Sequence, residues 1–600
     1  MSEIAAVTYQ VRLVDPGAHH IQVLCQLDAA ARQELRLPSW IPGSYLLREY
    51  ARHVVSLEAR NDSGPVSVAK LDKSRWQCGN EPGRLSVTLT VYAFDLSVRG
   101  AYLDNRRAFF NGPCVFPEFL AIDPGPLEVL IEPPPAGVGD TWRVATAMGQ
   151  RSVDPRGFGC YRVADYDELL DHPVEISDFV TVEFEAGDVP HHFALAGRQD
   201  ADLERLAADL RQICETQIAF FGKPAPMAEY WFLGLAAGEG YGGLEHRASS
   251  SLIFSREDLP RPGDLAVSKG YRRFLGLVSH EYFHTWNVKR IKPAAFTPYR
   301  LDRRNYTRLL WVFEGITTYY QDLLVLRSDL LPVSGYLERL AQTLTRVYRV
   351  PGRRKQSLAE ASFEAWDMLY KPTENSANAS ISYYTKGALV ALALDLTLRL
   401  DTAGRVSLDD VMRTLWQRYG RRSTGVAEDA FEALVAELAG QDMSAFFDRN
   451  VRGRHDPDLA SLLDAFGVAV ELRANLGPGD DGGPAGDRKA PRVMLGAQLS
   501  RQRPELVATV LAGGPAERAG LAPGDQLVAL DRLKLTAGNL AARLAHYQPG
   551  DSASLLAFRG DELVSLSVIF AAPALDTVSL SLNEAADAAA LERRRAWLGE

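Results

Sequence analysis

The segment His280-Glu281-Tyr282-Phe283-His284 has a spacing that can do chemistry. Two histidines four apart share one face of an α-helix, close enough to hold one metal ion. The glutamate between them can reach a metal-activated water and take its proton. A catalytic zinc takes three protein ligands and leaves the fourth position to water. His280 and His284 supply two. The candidate third is Glu314, in Trp311-Val312-Phe313-Glu314-Gly315-Ile316-Thr317-Thr318-Tyr319-Tyr320. It is a lone carboxylate in an apolar helical run, where a charge is costly unless it is paired or bound to metal. It follows His284 by 30 positions (314 minus 284), room for a loop and a returning helix.

These residues need elements to hold them. From about residue 5 to 190 the chain reads as strands. Val7-Thr8-Tyr9-Gln10-Val11-Arg12-Leu13 alternates apolar and polar, as does Leu85-Ser86-Val87-Thr88-Leu89-Thr90-Val91, with turn formers such as Asn61-Asp62-Ser63-Gly64 between such runs. This pattern predicts an antiparallel β domain, a sandwich. Leu203, Leu206, Leu210, Ile213 and Ile218 fall on one stripe and predict a helix over 202–221. Tyr230 to Leu235 predicts a strand, and helices follow around 280, from Leu309 to Leu326, and on to about 470. Residues 474–492 are rich in Gly, Pro and Asp and read as a flexible linker. A small β-rich domain spans Val493 to about Phe570, and Asn583 to Trp597 reads as a charged amphipathic helix.

Composition narrows the function classes. The 600 residues imply several domains, and 46% hydrophobic with 24% charged residues is ordinary for a globular protein. A net charge of -10 argues against nucleic acid. No apolar run reaches the roughly 18 residues of a membrane span. The N-terminal residues show no basic region followed by an apolar core. The expectation is a cytoplasmic protein with no membrane partner. Five cysteines, Cys25, Cys78, Cys114, Cys160 and Cys214, make no CxxC pair and read as small buried hydrophobes in a reducing compartment.

His280-Glu281-Tyr282-Phe283-His284-Thr285-Trp286-Asn287 together with Trp311-Val312-Phe313-Glu314-Gly315 resembles the gluzincin peptidases. The gap between His284 and Glu314, longer than in the large aminopeptidase-N group of gluzincins, the following Val288-Lys289-Arg290-Ile291-Lys292-Pro293 and the N-terminal Leu37-Pro38-Ser39-Trp40-Ile41-Pro42-Gly43-Ser44-Tyr45 resemble the glycyl aminopeptidase family. That resemblance implies a multidomain α+β chain. Its parts would be an N-terminal β domain (1–187), a thermolysin-like catalytic domain (188–322) with a helical C-terminal half (323–473), a linker (474–492), a PDZ domain (493–572) and a tail with a helix (573–600). It implies one zinc ion per chain, held by His280, His284 and Glu314, with Glu281 as general base.

Further roles rest on the same resemblance. Tyr241-Gly242-Gly243-Leu244-Glu245-His246 is similar to the exopeptidase motif of the aminopeptidase-N relatives. Gly242 and Gly243 would lie along the substrate and Glu245 would meet its free α-amine; the relatives carry Asn where His246 stands here. Ile381-Ser382-Tyr383-Tyr384-Thr385-Lys386-Gly387 is similar to their Tyr-x-Lys-Gly segment, which makes Tyr384 the donor to the oxyanion. Leu495, Gly496 and Ala497 match the carboxylate loop of a PDZ domain, with a helix over Leu533–His546 as the other wall of its groove. The implied partners are peptides with a free N-terminus and, at the groove, a peptide C-terminus. The implied activity is release of small N-terminal residues, glycine and alanine above all. Two other readings stay open: a zinc endopeptidase or dipeptidase acting on blocked peptides, and a PDZ adaptor whose peptidase site has decayed.

Overall fold

The computed structural model describes residues 5–122, 125–264, 266–477, 479–487, 489–536 and 538–599. The first four residues, part of the stretch read for a leader, lie outside them. The chain forms two compact units, Met1–Asn305 with Leu415–Val426, and Tyr306–Thr414 with Ala427–Glu600. Among the described residues no helix is long and apolar enough to cross a membrane.

The first unit opens with the expected alternation. In the strand Val7–Asp15 the residues Val7, Tyr9, Val11 and Leu13 are buried. A period of two puts them on one face of a sheet. That sheet has eight strands, and two four-stranded sheets share its core through Leu35, Trp76, Phe110 and Ile176. The antiparallel expectation needs one correction. Val7–Asp15 pairs antiparallel with His20–Ala29 but parallel with Leu127–Ile131. A parallel ladder needs a long crossover, and here the chain builds most of the other strands before it returns. All five cysteines are free, and four of them are fully buried; Cys160 is half-buried.

A five-stranded mixed sheet carries the rest of this unit, in the order Val180–Ala186, Val189–Ala196, Tyr230–Ala237, Ser249–Ser255, Tyr241–Glu245. It begins at Val180, before the expected boundary at 187. The helix Leu203–Phe221 is capped by Asp202, whose carboxylate accepts from Arg205 N at 3.1 Å. The histidine helix Lys269–Phe283 is capped by Ser268, whose Oγ accepts from Tyr271 N at 3.0 Å. The two helices are joined where Gln217 Nε2 donates to Ser279 O and to Ser279 Oγ, both at 2.9 Å.

The second unit is largely helical. Its central helix, Thr385–Asp401, is mostly apolar and buried on nearly all sides, with Lys386, Asp395 and Arg399 as its buried charges. The C-terminal residues form part of this core. Leu575–Leu582 pairs antiparallel with Val468–Ala474, and the helix Ala588–Leu598 inserts Trp597. Trp597 Nε1 donates to Tyr319 Oη at 2.9 Å, Tyr319 Oη donates to Asp395 at 2.6 Å, and Arg399 Nε donates to Asp395 at 3.0 Å. Trp597→Ala is therefore expected to cost about 3–5 kcal/mol of stability, read as a lowered urea midpoint. A cost under about 1 kcal/mol would contradict this account of the C-terminus.

The segment after Ala474 has no helix or strand until Ala497 among its described residues, yet its first half is anchored. Buried Asp480 accepts from Arg473 Nη1 at 2.6 Å and Nη2 at 2.9 Å. The β-rich region beyond it has its own core, from Val493 to Phe570. The expected helix over 533–546 is shorter than the sequence suggested: Leu533–Lys534 is a strand and the helix is Leu540–Leu544, with Ala537 outside the described residues. Asn539 Oδ1 accepts from Thr536 N at 2.7 Å and Leu540 N donates to Thr536 O at 3.1 Å, contacts that start the helix only after the strand has ended. Asn378 ties the region to the rest of the second unit: its Nδ2 donates to Val510 O at 2.8 Å and its Oδ1 accepts from Ala512 N at 2.9 Å.

Candidate active site

The two histidines sit as their spacing requires. His280 Nε2 and His284 Nε2 are 3.0 Å apart. His284 Nδ1 lies 2.6 Å from Asn287 O. A carbonyl oxygen can only accept, so Nδ1 carries the proton and Nε2 offers a lone pair. Two nitrogens bound to one tetrahedral zinc at 2.0–2.1 Å would lie roughly 3.3 Å apart. The pair fits a zinc ion. The helix is held from behind by His191, whose Nδ1 donates to Val189 O and whose Nε2 accepts from Tyr282 Oη, both at 2.9 Å. Burial pushes His191 down to about 4, so it stays neutral at pH 7.

Glu281 lies under the edge strand Tyr241–Glu245, which runs antiparallel to Ser249–Ser255 with Gly243 opposite Leu252 and Glu245 opposite Ser250. A Cβ at Gly243 would stand 2.1 Å from Glu281 Oε1. Only glycine lets the strand and the carboxylate approach this closely. Gly242 has no such crowding: a Cβ there would meet nothing nearer than 3.8 Å. Glu245 is buried, and its Oε1 has no hydrogen-bond partner among the described residues. Gly43 flanks it, with φ +92 and room for no side chain, since a Cβ would stand 2.5 Å from Glu245 Oε1. Glu245, Glu281 and His284 each present a ligand atom within 4.8 Å of the others.

Gly243→Ala is expected to displace Glu281 and lower kcat/KM about 100-fold, since misplacement by about 1 Å can cost that much. The unfolding midpoint and metal content should be unchanged. An alanine variant of wild-type activity would show that the close approach is not needed.

Sequence reading missed the supports of this strand. Arg99 Nη2 donates to Gly243 O at 2.9 Å. Beneath it, buried Asp171 is met by Lys289 Nζ at 2.6 Å and Arg247 Nε at 2.8 Å. Burial raises the Asp171 carboxyl, but Lys289 and Arg247 outweigh that and hold it well below the usual range. His246 Nδ1 stands 3.5 Å from Asp171 Oδ1. His246, the residue after the strand, thereby belongs to this network. Nothing in the local pattern marks Asp171 or Arg99, because their partners are far along the chain.

In the second unit Glu314 is 1% exposed and lies on a π-helical turn, Trp311–Gly315, a geometry frequent at functional sites. Gly315 abuts the helix that follows Tyr384: a Cβ on it would stand 2.6 Å from Gly387 Cα and 2.9 Å from Tyr383 O. The Glu314 turn and the Tyr383-Tyr384 pair are thereby neighbours. Tyr383 is buried and Tyr384 half-buried, and the Tyr384 hydroxyl is 2.9 Å from that of Tyr370. In the β-rich region Gly496 takes φ +78, Leu495 O accepts from Ala516 N at 2.8 Å, and Ala497 begins a strand.

The M61 glycyl aminopeptidase profile matches residues 273–390, and the peptidase M61 N-terminal domain profile matches residues 8–178. A crystal structure from Idiomarina loihiensis, described as an aminopeptidase N family protein, is 38% identical, with 99% of this chain and 100% of that chain covered and a TM-score of 0.94. The M1 zinc metallopeptidase from Deinococcus radiodurans is 15% identical, with 76% of this chain and 96% of that chain covered and a TM-score of 0.47. No curated protein matches.

Proposed function

The chain belongs to the M61 glycyl aminopeptidase family and is a metallo-aminopeptidase, and from that premise we propose that one zinc ion per chain serves release of small N-terminal residues, glycine and alanine above all, from peptides. The observation that carries this reading is the close set of Glu245, Glu281 and His284 within 4.8 Å, beside the facing His280. His280, His284 and Glu314 are the proposed ligands. A zinc ion held there would supply a Lewis acid and a water whose pKa falls from about 9 toward 7.

The protein groups divide the remaining work. Glu281 takes the proton of the attacking water and delivers it to the leaving amine. The Tyr384 hydroxyl donates to the oxygen that gains negative charge. Tyr384, rather than its buried neighbour Tyr383, is the more exposed of the two. The backbone of Gly242 and Gly243 lines the substrate, and Glu245 pairs with its α-ammonium. A carboxylate buried at that place makes the enzyme count from the N-terminus and disfavours blocked peptides. Residues 493–572 form the proposed PDZ domain, with Leu495, Gly496 and Ala497 as the loop that takes a peptide's C-terminal carboxylate. The thermolysin-like assignment of 188–322 and the helical assignment of 323–473 belong to the same proposal.

Glu245→Gln tests the exopeptidase part. Loss of one charged hydrogen bond should lower kcat/KM for free-amine substrates roughly 10- to 150-fold, with bound zinc retained. Unchanged kinetics would remove Glu245 from amine recognition.

A further inference from the structure

The first unit holds a cleft of about 1140 Å³, and none of His280, Glu281, His284 or Glu245 lines it. Its apolar walls include Phe119, Tyr166, Phe296, Tyr299 and Trp416. Six cations also line it: Arg36, Arg247, Lys289, Arg290, Lys292 and Arg421. Three have carboxylate partners. Arg36 pairs with Glu118 at 2.6 Å, Arg247 with Asp167 at 2.7 Å and Asp171 at 2.8 Å, and Lys289 with Asp171 at 2.6 Å.

The other three form no ion pair within 4.0 Å among the described residues, although Asp171 acts on Arg290, and Asp167 and Asp171 on Lys292, from farther away. Arg290 donates only to main-chain carbonyls: Arg247 O at 2.9 Å, Thr285 O at 2.8 Å and Pro226 O at 2.7 Å. The Lys292 ammonium lies 4.7 Å over the ring of Tyr299, and the Arg421 guanidinium 5.6 Å over the ring of Trp416. Against these three stands one lining acid without a cation, Asp165, and its carboxylate is taken up by Glu168 N at 2.8 Å. The walls therefore carry an excess of positive charge.

Cations removed from water without a carboxylate are costly. Burial pushes Lys292 down to about 8 and Arg290 down to about 10. An anion seated beside Lys292 would lower that cost, Arg421 on the same wall can share its charge, and the aromatic walls suit a flat apolar body.

We propose that this cleft is a binding site for a small organic anion, whose carboxylate or phosphate group pairs with Lys292 and Arg421 and whose apolar part lies against Tyr299 and Trp416. The site is separate from the proposed zinc centre, and its occupation does not depend on peptidase activity.

Calorimetric titration of the full-length, zinc-loaded protein with inorganic phosphate and, separately, with 3-phenylpropionate tests this. The expected result is saturable binding at about 1 mM or tighter for at least one probe, weakened tenfold or more by Lys292→Met. Preference for phosphate assigns a phosphoryl ligand; preference for phenylpropionate assigns a carboxylate with an aromatic body. No saturable binding by either probe up to about 10 mM overturns the proposal. So does binding that survives Lys292→Met and disappears in His284→Ala, which would put the anion at the metal centre. Should Lys292→Met fail to fold, Arg421→Gln, at an exposed position, carries the same expected loss.

Discussion

Glu281→Gln is expected to keep zinc and lose nearly all activity. Glutamine has the size of glutamate, so the space left by the missing Cβ of Gly243 accommodates it equally well. The helix, its Ser268 cap and the facing histidines are untouched. What disappears is the group that takes a proton from water and returns it to the leaving amine. General acid–base catalysis by one side chain contributes roughly 10²–10⁴-fold. Glu281 serves in both directions, which places the loss in kcat at the upper end of that range. The measurement is kcat on an alanyl arylamide alongside zinc per chain. A variant that kept a tenth or more of its rate would remove Glu281 from the chemistry.

Glu314→Gln is expected to release the metal. A neutral amide is a poor ligand beside two imidazoles, and zinc sites depend on ligand charge and on three protein donors. After dialysis against a weak chelator, zinc should fall from one per chain to near zero, and activity with it. Since ligands that bind only the folded state raise its stability, added zinc should raise the unfolding temperature of the wild type and not that of the variant. If Glu314→Gln retained zinc at wild-type affinity, the third ligand would have to be sought elsewhere. Glu245 would be the first candidate, because it already lies within 4.8 Å of His284 and Glu281.

Much of this was legible in the sequence where the signal is local. The HExxH spacing fixes two histidines on one helical face, and Nε2 atoms 3.0 Å apart follow from it. The alternation of Val7 to Leu13 and the stripe from Leu203 to Ile218 gave their strand and helix almost to the residue. What stayed hidden depends on partners distant in sequence. The need for glycine at 243 comes from Glu281, and at 43 from Glu245. Asp171 looks like any loop aspartate until Lys289 and Arg247 reach it. The parallel pairing of Val7–Asp15 with Leu127–Ile131 leaves no mark in either strand. The helix expected over 533–546 starts late because Leu533 and Lys534 pair as a strand with Leu530 and Ala529, partners that a helical periodicity does not show. The pairing of buried Asp525 with exposed Arg559 at 2.8 Å leaves no mark in either local pattern.

The central claim is that a metal-dependent site reads the free N-terminus of a peptide. It is tested most directly by hydrolysis of glycyl and alanyl arylamides, free and N-acetylated, with and without a zinc chelator. The account predicts cleavage of the free substrates, loss on chelation with recovery on added zinc, and no cleavage of the acetylated forms. Equal cleavage of acetylated substrates would contradict it, because Glu245 would then have no amine to bind. Cleavage that persists after complete zinc removal would contradict it more deeply, at His280 and His284.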